Sequence, residues 1–289
     1  MLMDMSDESP LASHLSAAKL DLSRSHKRLA RFVSDNGLFV AFASAAELGE
    51  KVGVSAATVV RFCRTIGYEG YPDLQAAVRD SLPTYLHKIE KLQKDSGTLK
   101  DQAVGRVFEQ DMQNLSRTVA SLDEEKFKAA VAALARSGDI LVVGGGLSAA
   151  PALYFAHSLK VMGMDARTVL NGGIPLALEL TRLKPTSVIV GISVWRYVRD
   201  TITAMEQAQS YGATRIAITD STVAPLAQRA EHAFQVATDG VAHSLSLTSM
   251  MALINAFVAA LSFARPEETA RAVREVDAAY RQENLLFTE

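Results

Sequence analysis

The hydrophobic pattern divides the chain into two parts. Up to about residue 82, apolar positions recur at helical spacing and predict helices only. After residue 138, short continuous apolar runs alternate with helical patterns. They predict strands near residues 139–144, 165–170, 186–193, 214–220 and 233–238. Strands of this kind, separated by helices, indicate a parallel sheet with helices on both faces.

The helical part ends in two short helices around a tight turn, between residues 44 and 68. Ser44 and Glu47 have the spacing of a capping box, which starts the first of these helices. Gly53 ends it, because glycine accepts the left-handed conformation without steric cost. Ser55 can cap the second helix, whose inward face carries Val59, Phe62 and Ile66. A longer helix from Leu20 to Asn36 precedes the pair, and Pro72 can start another.

The second helix of the pair has the features of a DNA recognition helix. Small residues in its first turn permit a close approach to base edges, and nearby basic groups can hold phosphates. The predicted DNA-binding residues are Ser55, Ala56, Ala57, Thr58, Arg61 and Arg64, with Lys51 and Arg28 beside them. An ordinary helical hairpin is the alternative, since two helices around a glycine turn are common.

Charge and composition favour the DNA-binding interpretation. The 289 residues carry a formal net charge of −2, whereas segments 22–34 and 51–68 contain basic residues and no acid. Local basic patches on a slightly acidic chain are typical of a specific binder. The single cysteine, Cys63, excludes an internal disulfide and a cysteine-cluster metal site. The acidic amino terminus and the short apolar run Met250–Leu261 predict a cytoplasmic protein.

Two domains are expected from this pattern and length. We place an α-helical helix-turn-helix domain at residues 11–82, a charged and polar linker at 83–103, and an α/β domain at 104–289. The α/β domain should contain a five-stranded parallel sheet. Helices are also predicted at 104–122, 123–137, 147–163, 197–211, 224–232 and 243–263, followed by a polar terminal helix.

A ligand should bind at the carboxyl ends of the strands, where helix amino termini attract anions. The loop after the first strand holds Gly144, Gly145, Gly146 and Ser148. Its glycines let a phosphate approach the backbone, although they could also simply form a tight turn. The loop after the third strand holds Ser193 and, near the next helix, Arg196. Dinucleotide binding is disfavoured, because the third glycine spacing and an acid after the second strand are missing. Ser221 should cap the helix after the fourth strand.

Together these segments resemble the RpiR-type bacterial transcriptional regulators, which join a helix-turn-helix domain to a sugar isomerase (SIS) domain that binds phosphosugars. In the first domain the resemblance rests on AAELGEKVGVSAATVVRFCRTIGYEGYPDLQ. In the second it rests on GGGLS, ITDSTVAPLAQRAE and SLTSMMALINAF. It implies a ligand site that includes Ser246, although Leu247 stands where relatives often have an arginine. It also implies pairing of SIS domains into a dimer or tetramer.

The third-strand loop departs from the family's serine-any-serine-glycine-any-threonine pattern. Ser193 keeps the first position, while Trp195, Arg196 and Val198 replace the second serine, the glycine and the threonine. We therefore expect Arg196 to carry much of the anion binding. The ligand is a sugar phosphate in this interpretation, with a sugar acid or another carboxylate as alternatives.

Catalysis is not expected. A sugar isomerase needs a general base, and the segment that would supply it offers only Asp239 and His243 as titratable residues. We interpret Asp239 as a turn former and His243 as a helix-start or ligand-orienting residue. The prediction is a regulator without cofactor or metal, which binds a pseudo-palindromic operator under control of an anionic sugar metabolite. The alternatives are a sugar-phosphate isomerase with a helical appendage, and a DNA-binding protein whose SIS domain only dimerises.

Overall fold

The computed structural model describes residues 22–82, 102–285 and 287. The chain divides into two compact units, Met1–Lys91 and Leu92–Glu289. Residues 83–101 of the predicted linker lie outside the described part of the chain, as does Leu20, where we predicted the start of the first helix. The described helix begins later than predicted, at Arg24, because Ser23 caps it.

The first unit is helical, as predicted. Its described helices are α1 (Arg24–Asp35), α2 (Gly37–Phe42), α3 (Ala45–Val52), α4 (Ala56–Thr65) and α5 (Tyr71–Asp80). Local chemistry sets their starts. Ser23 caps α1, Ser44 and Glu47 form the predicted capping box on α3, and Ser55 caps α4. Gly53 ends α3 in the left-handed conformation, with φ 71°.

The inward faces of these helices share one core. It includes Leu29 of α1, Leu48 of α3, Val59 and Phe62 of α4, and Leu74 of α5. Phe32, expected in this core, is only half-buried at its margin. The α5 helix also holds the end of α2 by hydrogen bonds. The Tyr71 hydroxyl donates to the Ala43 carbonyl at 2.8 Å, and the Gln75 side-chain amide donates to the same carbonyl at 2.7 Å.

The second unit is a five-stranded parallel sheet with helices on both faces, as predicted. Its described strands are β1 (Asp139–Gly144), β2 (Ala166–Val169), β3 (Ser187–Ile192), β4 (Thr214–Thr219) and β5 (His232–Gln235). They lie in the order β2-β1-β3-β4-β5, and each neighbouring pair is parallel. The described helices are α6 (Ala103–Ala120), α7 (Glu124–Arg136), α8 (Ala149–Val161), α9 (Ile174–Leu180), α10 (Arg199–Ser210), α11 (Thr248–Ala264) and α12 (Pro266–Gln282).

Two apolar clusters cover the two faces of this sheet. One includes Leu134 of α7, Phe155 of α8 and Phe257 of α11. The other includes Leu180 of α9 and Met205 of α10. Along β3 the side chains alternate between these clusters, with Val188 and Val190 in the first and Ile189 in the second. This burial on both faces explains why the strand reads as a continuous apolar run.

Three further elements differ from the prediction. The helix α9 was not predicted, because residues 170–175 contain two glycines and a proline that obscure its start. Segment 224–232 contains only a 3₁₀ turn, Ala227–Arg229, so Ser221 caps no α-helix. Its hydroxyl accepts a hydrogen bond from the Val223 N–H, at 3.3 Å, within a turn. The helix that we placed from His243 begins at Thr248, which leaves His243 exposed in the preceding loop.

Candidate functional site

The start of α4 brings three predicted DNA-binding side chains together. Ser55 Oγ lies 2.9 Å from Thr58 Oγ1, and a guanidinium nitrogen of Arg61 donates to that same Thr58 oxygen at 3.0 Å. Ala56 and Ala57 are exposed beside them in the first turn. The hydrogen bonds hold the Arg61 head group beside the Ser55 and Thr58 hydroxyls at the helix start.

Arg64 lies apart from this group. Its Nε donates to the Glu69 carbonyl at 3.3 Å, beyond the carboxyl end of α4. The side chain is exposed on the side away from the core, as expected, but it is held near the GYEGY segment. The structure therefore separates the hydrogen-bonded Ser55–Thr58–Arg61 group at the helix start from a second basic side chain, Arg64, near the helix end.

Arg28 and Lys51 border a concavity of about 300 Å³ between α1 and α3. It is also lined by Arg31 and Asp35, which form an ion pair at 3.7 Å. A guanidinium nitrogen of Arg28 donates to the Val52 carbonyl at the end of α3. This contact satisfies a helix-end carbonyl and places a cation at the negative end of the α3 dipole. Val52 is followed by Gly53 and Ser55, so the concavity adjoins the turn that leads into α4.

Sequence reasoning did not identify Gly49 as a determinant of the turn. A Cβ at this position would lie 2.6 Å from the Val54 carbonyl oxygen, and the Val54 N–H donates to the Gly49 carbonyl at 2.8 Å. The chain therefore passes over Gly49 too closely for any side chain. The signal for this requirement was a glycine inside a short helix, four residues before the turn.

The predicted ligand loops meet at one edge of the second unit. β1 and β3 are neighbours, so the loops that follow them leave the sheet side by side. Gly145 lies against Val198, since a Cβ on residue 145 would be 3.3 Å from a Val198 methyl. Gly144 ends β1, and Gly146 to Ser148 form a 3₁₀ turn before α8. Proximity of these two loops is what the ligand-site prediction required.

The two predicted serines of these loops are buried. Ser148 is 2% exposed and Ser193 is 1% exposed. Ser193 Oγ accepts a hydrogen bond from the Val198 N–H, at 3.2 Å, so it shapes the loop from inside. Arg196 is exposed, and its guanidinium carbon lies 5.9 Å from the centre of the Trp195 ring. It belongs to the loop itself, because α10 begins only at Arg199.

Asp220, at the end of β4, organises the loop after β3. The Trp195 N–H donates to one carboxylate oxygen of Asp220 at 2.6 Å, and the Tyr197 hydroxyl donates to the other at 2.7 Å. Burial raises the pKa of Asp220 above its ordinary value, and the hydrogen bonds oppose that rise. Burial and the Asp220 charge also raise the pKa of Tyr197, so its hydroxyl remains a donor.

The backbone of this loop carries a further restraint. Trp195 has a φ of 63°, in the left-handed region that a bulky residue seldom adopts. Asp220 holds the N–H of this same residue. Asp220 is the last residue of the strand predicted near residues 214–220, but its contact with the loop after β3 was not predicted. Its signal was an acid placed directly after a buried strand, one strand away from the predicted ligand loop.

Ser246 lies in the loop between β5 and α11, and its hydroxyl donates to Asp111 of α6. Asp239, which we interpreted as a turn former, pairs with Arg117 of the same helix. Ser246 and Asp239 of this loop are thus engaged with α6. Within the described part of the chain, no group of three or more His, Cys, Asp or Glu side chains is arranged to hold a metal ion. No single described helix meets the length and apolarity needed to cross a bilayer, and only the bent pair α11–α12 does so jointly.

Comparison with known proteins defines the class. The helix-turn-helix domain of the rpiR family matches residues 10–84, and the SIS domain matches residues 133–260. The SIS domain of an RpiR transcription factor from Sphaerobacter thermophilus is 39% identical. That alignment covers 61% of this chain and 99% of the other, with a TM-score of 0.60. The protein is thus a helix-turn-helix regulator with a SIS domain.

The chain belongs to the RpiR family. An HTH-type transcriptional regulator from Caldanaerobacter subterraneus subsp. tengcongensis is 27% identical over 212 residues, which cover 72% of this chain and 73% of the relative. The NanR protein of Vibrio vulnificus, solved in complex with ManNAc-6P, is 21% identical. It covers 96% of this chain and 100% of its own, with a TM-score of 0.67, and so shares the fold. This architecture is that of a regulator and not of an enzyme.

Proposed function

We propose that this protein is a cytoplasmic transcriptional regulator of carbohydrate metabolism whose operator binding is controlled by a sugar phosphate. The observation that carries the proposal is the Ser55–Thr58–Arg61 group at the start of α4. The same chain also brings together the loops after β1 and β3, which are the predicted anion-binding loops. The proposed ligand residues are Gly144, Gly145, Gly146, Ser148, Ser193, Arg196 and Ser246. The sugar phosphate bound by NanR, a protein of the same fold, supports this ligand class.

In this proposal α4 enters the major groove. Ser55, Ala56, Ala57, Thr58 and Arg61 face base edges, while Lys51, Arg28 and Arg64 hold phosphates. Two copies would place two recognition helices on a pseudo-palindromic operator, with half-sites about 10 base pairs apart or a multiple of that spacing.

A seam on α6 supports pairing through a second copy of this chain. Phe108, Met112 and Val119 are exposed by 68%, 60% and 71%. With Leu115, which is half-buried, they have the alternating spacing of four, three and four residues that lets identical helices pair. Exposed apolar side chains in one row on a helix mark an interface. We propose that this seam, Phe108–Met112–Leu115–Val119, joins two copies.

Binding to DNA is tested with the full-length protein and an operator selected from random duplexes by the wild type. Arg61→Ala should weaken binding by about 1–3 kcal/mol, because it removes a base-edge contact. Fluorescence anisotropy at fixed salt measures this loss. Arg274→Ala removes the same charge from exposed α12 and should bind as the wild type does. Equal binding by all three proteins would reject α4 as the recognition helix.

Ligand control is tested by thermal stabilisation of the wild type and Arg196→Ala with sugar phosphates, sugar acids and neutral sugars. A compound present at 100 times its dissociation constant stabilises the native state by about 2.7 kcal/mol. We expect one sugar phosphate to raise the melting temperature of the wild type, less so that of Arg196→Ala, and to change operator affinity. Stabilisation by sugar acids alone would mean that the ligand is a sugar acid and not a sugar phosphate. If no compound changed DNA binding, the SIS domain would only dimerise.

A further inference from the structure

Helix α6 holds the loop between β5 and α11 by a row of polar contacts. Thr118 Oγ1 accepts from the Ala237 N–H at 2.9 Å, and the side-chain amide of Asn114 donates to the Asp239 carbonyl at 2.7 Å. Asn114 is fully buried, so this contact is shielded from water. Arg117 adds the ion pair with Asp239. The loop that contains the predicted ligand residue Ser246 is therefore fastened to one helix along its length.

At the end of this row, a carboxylate occupies the amino terminus of α11. Ser246 Oγ donates to one oxygen of Asp111, and Thr248 Oγ1 donates to the other at 2.7 Å. The Thr248 N–H in turn donates to Ser246 Oγ at 3.2 Å. Thr248 is the first residue of α11, a helix of 17 residues. Asp111 thus has the contacts that an external anion makes at a helix start, namely hydroxyl donors beside the positive end of the dipole.

The amino terminus of α11 lies on the same edge of the sheet as the ligand loops. Both α8 and α11 follow parallel strands, so both begin at the carboxyl edge and run back along the sheet. The two helices pack together in one apolar cluster, and the Tyr154 hydroxyl of α8 donates to Asn255 of α11 at 2.7 Å. Ser246 is therefore at the edge where the Gly144–Ser148 turn also opens.

We infer that Asp111 is an internal anion that competes with the metabolite for the hydroxyl of Ser246. This inference rests on the proposed function, because it needs a ligand anion at that edge of the sheet. A hydroxyl has one proton to donate, so Ser246 cannot donate to Asp111 and to a phosphate oxygen at once. Two negative groups at one helix start also repel each other. Binding of the metabolite therefore displaces Asp111 and loosens α6 from the loop.

Release of α6 connects the ligand site to DNA binding through the chain itself. Helix α6 begins at Ala103, at the end of the segment predicted as the linker to the helix-turn-helix domain. The same helix carries the Phe108–Met112–Leu115–Val119 seam, which we propose as the contact between copies. A ligand that removes Asp111 from Ser246 and Thr248 therefore acts on a helix that both follows the predicted linker and carries the proposed seam. Asn114 and Thr118 keep the carboxyl half of α6 in place.

The test compares Asp111→Asn with the wild type in full-length protein, with inorganic phosphate as the probe. Asparagine keeps the shape of the side chain but removes the competing charge. We expect phosphate to raise the melting temperature of Asp111→Asn at a concentration about tenfold lower than for the wild type, because the internal competitor is weakened. Glu109→Gln removes the same charge from an exposed position on α6 and should respond as the wild type does. Sodium chloride at matched ionic strength controls for screening.

A second measurement keeps the inference testable if Asp111→Asn is less stable. Hydrogen exchange at residues 103–112 should increase in the wild type when phosphate is added. In Asp111→Asn exchange should be fast already and unchanged by phosphate. Equal phosphate effects on all three proteins, or no effect on any, would overturn the competition. A sugar phosphate that stabilises the wild type and Asp111→Asn alike would reject this inference while the proposed function stands. Failure of the wild type to bind any operator would reject the proposed function alone.

Discussion

Asp220 gives the loop after β3, the proposed ligand loop, its shape through buried hydrogen bonds. Its carboxylate accepts hydrogen bonds from the Trp195 N–H and the Tyr197 hydroxyl, and so holds Trp195 in a left-handed conformation. The Ser193 hydroxyl accepts a hydrogen bond from the Val198 N–H. A backbone of this kind costs about 1–3 kcal/mol and persists only where its surroundings impose it. The loop is thus fixed before any ligand binds, and Arg196 is presented from a rigid base.

The raised pKa of Asp220 makes stability depend on pH. The folded state binds this proton more tightly than the unfolded state, so the free energy of unfolding falls as pH rises from about 3.8 through the raised pKa. Asp220→Asn removes the titration. We expect the wild type to lose stability relative to Asp220→Asn over that range, as measured by urea unfolding at a series of pH values.

Tyr197→Phe provides the matched comparison for this prediction. The Tyr197 hydrogen bond lowers the pKa of Asp220, so its removal should extend the loss of stability to higher pH. Parallel curves for the wild type and Asp220→Asn would show that Asp220 has the same pKa in the folded and unfolded chains.

The residues that sequence reasoning identified here are those whose partners are near in the chain. Ser44 with Glu47 and Ser55 with Thr58 are three residues apart, and both pairs form as their spacing indicates. Asp220 meets Trp195 across 25 residues, and Asp111 meets Ser246 across 135. Such contacts depend on how strands and helices assemble, which a local pattern does not contain.

Among the elements, the α3–α4 pair depends on a close approach of backbone to backbone. The turn from Gly53 to Ser55 passes directly over Gly49, where a Cβ would lie 2.6 Å from the Val54 carbonyl oxygen. The neighbouring atom belongs to the backbone, so it cannot rotate away. The observed position of α4 relative to α3 therefore requires a residue without a side chain at position 49.

Gly49→Ala should destabilise the helix-turn-helix unit by about 1–3 kcal/mol, the usual cost of overpacking a closely packed site. Gly105→Ala is the control, because a Cβ there meets no atom within 4 Å on α6. That substitution should be neutral or stabilise by up to about 1 kcal/mol through helix propensity. Circular dichroism during chemical unfolding measures both, and equal stability of the two variants would exclude the close contact.

The boundaries of the helices were predictable only where a nearby side chain marks them. The capped helices α1, α3, α4 and α7 begin where a side chain caps them. Helix α11 has no side-chain cap, and the apolar residues before it continue its pattern, so its start was placed five residues early. For segment 224–232 the apolar spacing was helical, but the chain has only a 3₁₀ turn before β5.

Across the whole molecule, two cores of different kinds explain why the fold class was predictable. The helical unit buries one face of each helix, which gives a period near 3.6 residues, whereas β3 is buried on both faces and reads as a continuous apolar run. The strand order β2-β1-β3-β4-β5 was not predicted, because it depends on which crossovers pack together. The placement of Ser246 against α6 follows from that assembly.

The pairing of two copies is tested at the α6 seam. Phe108→Glu places a charge in the exposed apolar row and should lower the oligomeric state, because a buried unpaired carboxylate is costly. Operator binding should weaken with it, since two linked recognition helices bind more tightly than one. Analytical ultracentrifugation measures the first effect. Val273→Glu makes the same change on α12, and dissociation by that variant instead would move the interface away from α6.

The contact between Arg28 and the Val52 carbonyl has a consequence for genetic studies of the regulator. A substitution of Arg28 removes a proposed phosphate contact and a support for the end of α3, so a null allele at this position does not distinguish lost recognition from misfolding. The Arg61 guanidinium instead donates to a side-chain hydroxyl, that of Thr58. Alleles at Arg61 should accumulate as folded subunits that still pair with normal ones. They should therefore be dominant over the wild-type gene, whereas alleles at Arg28 should be recessive.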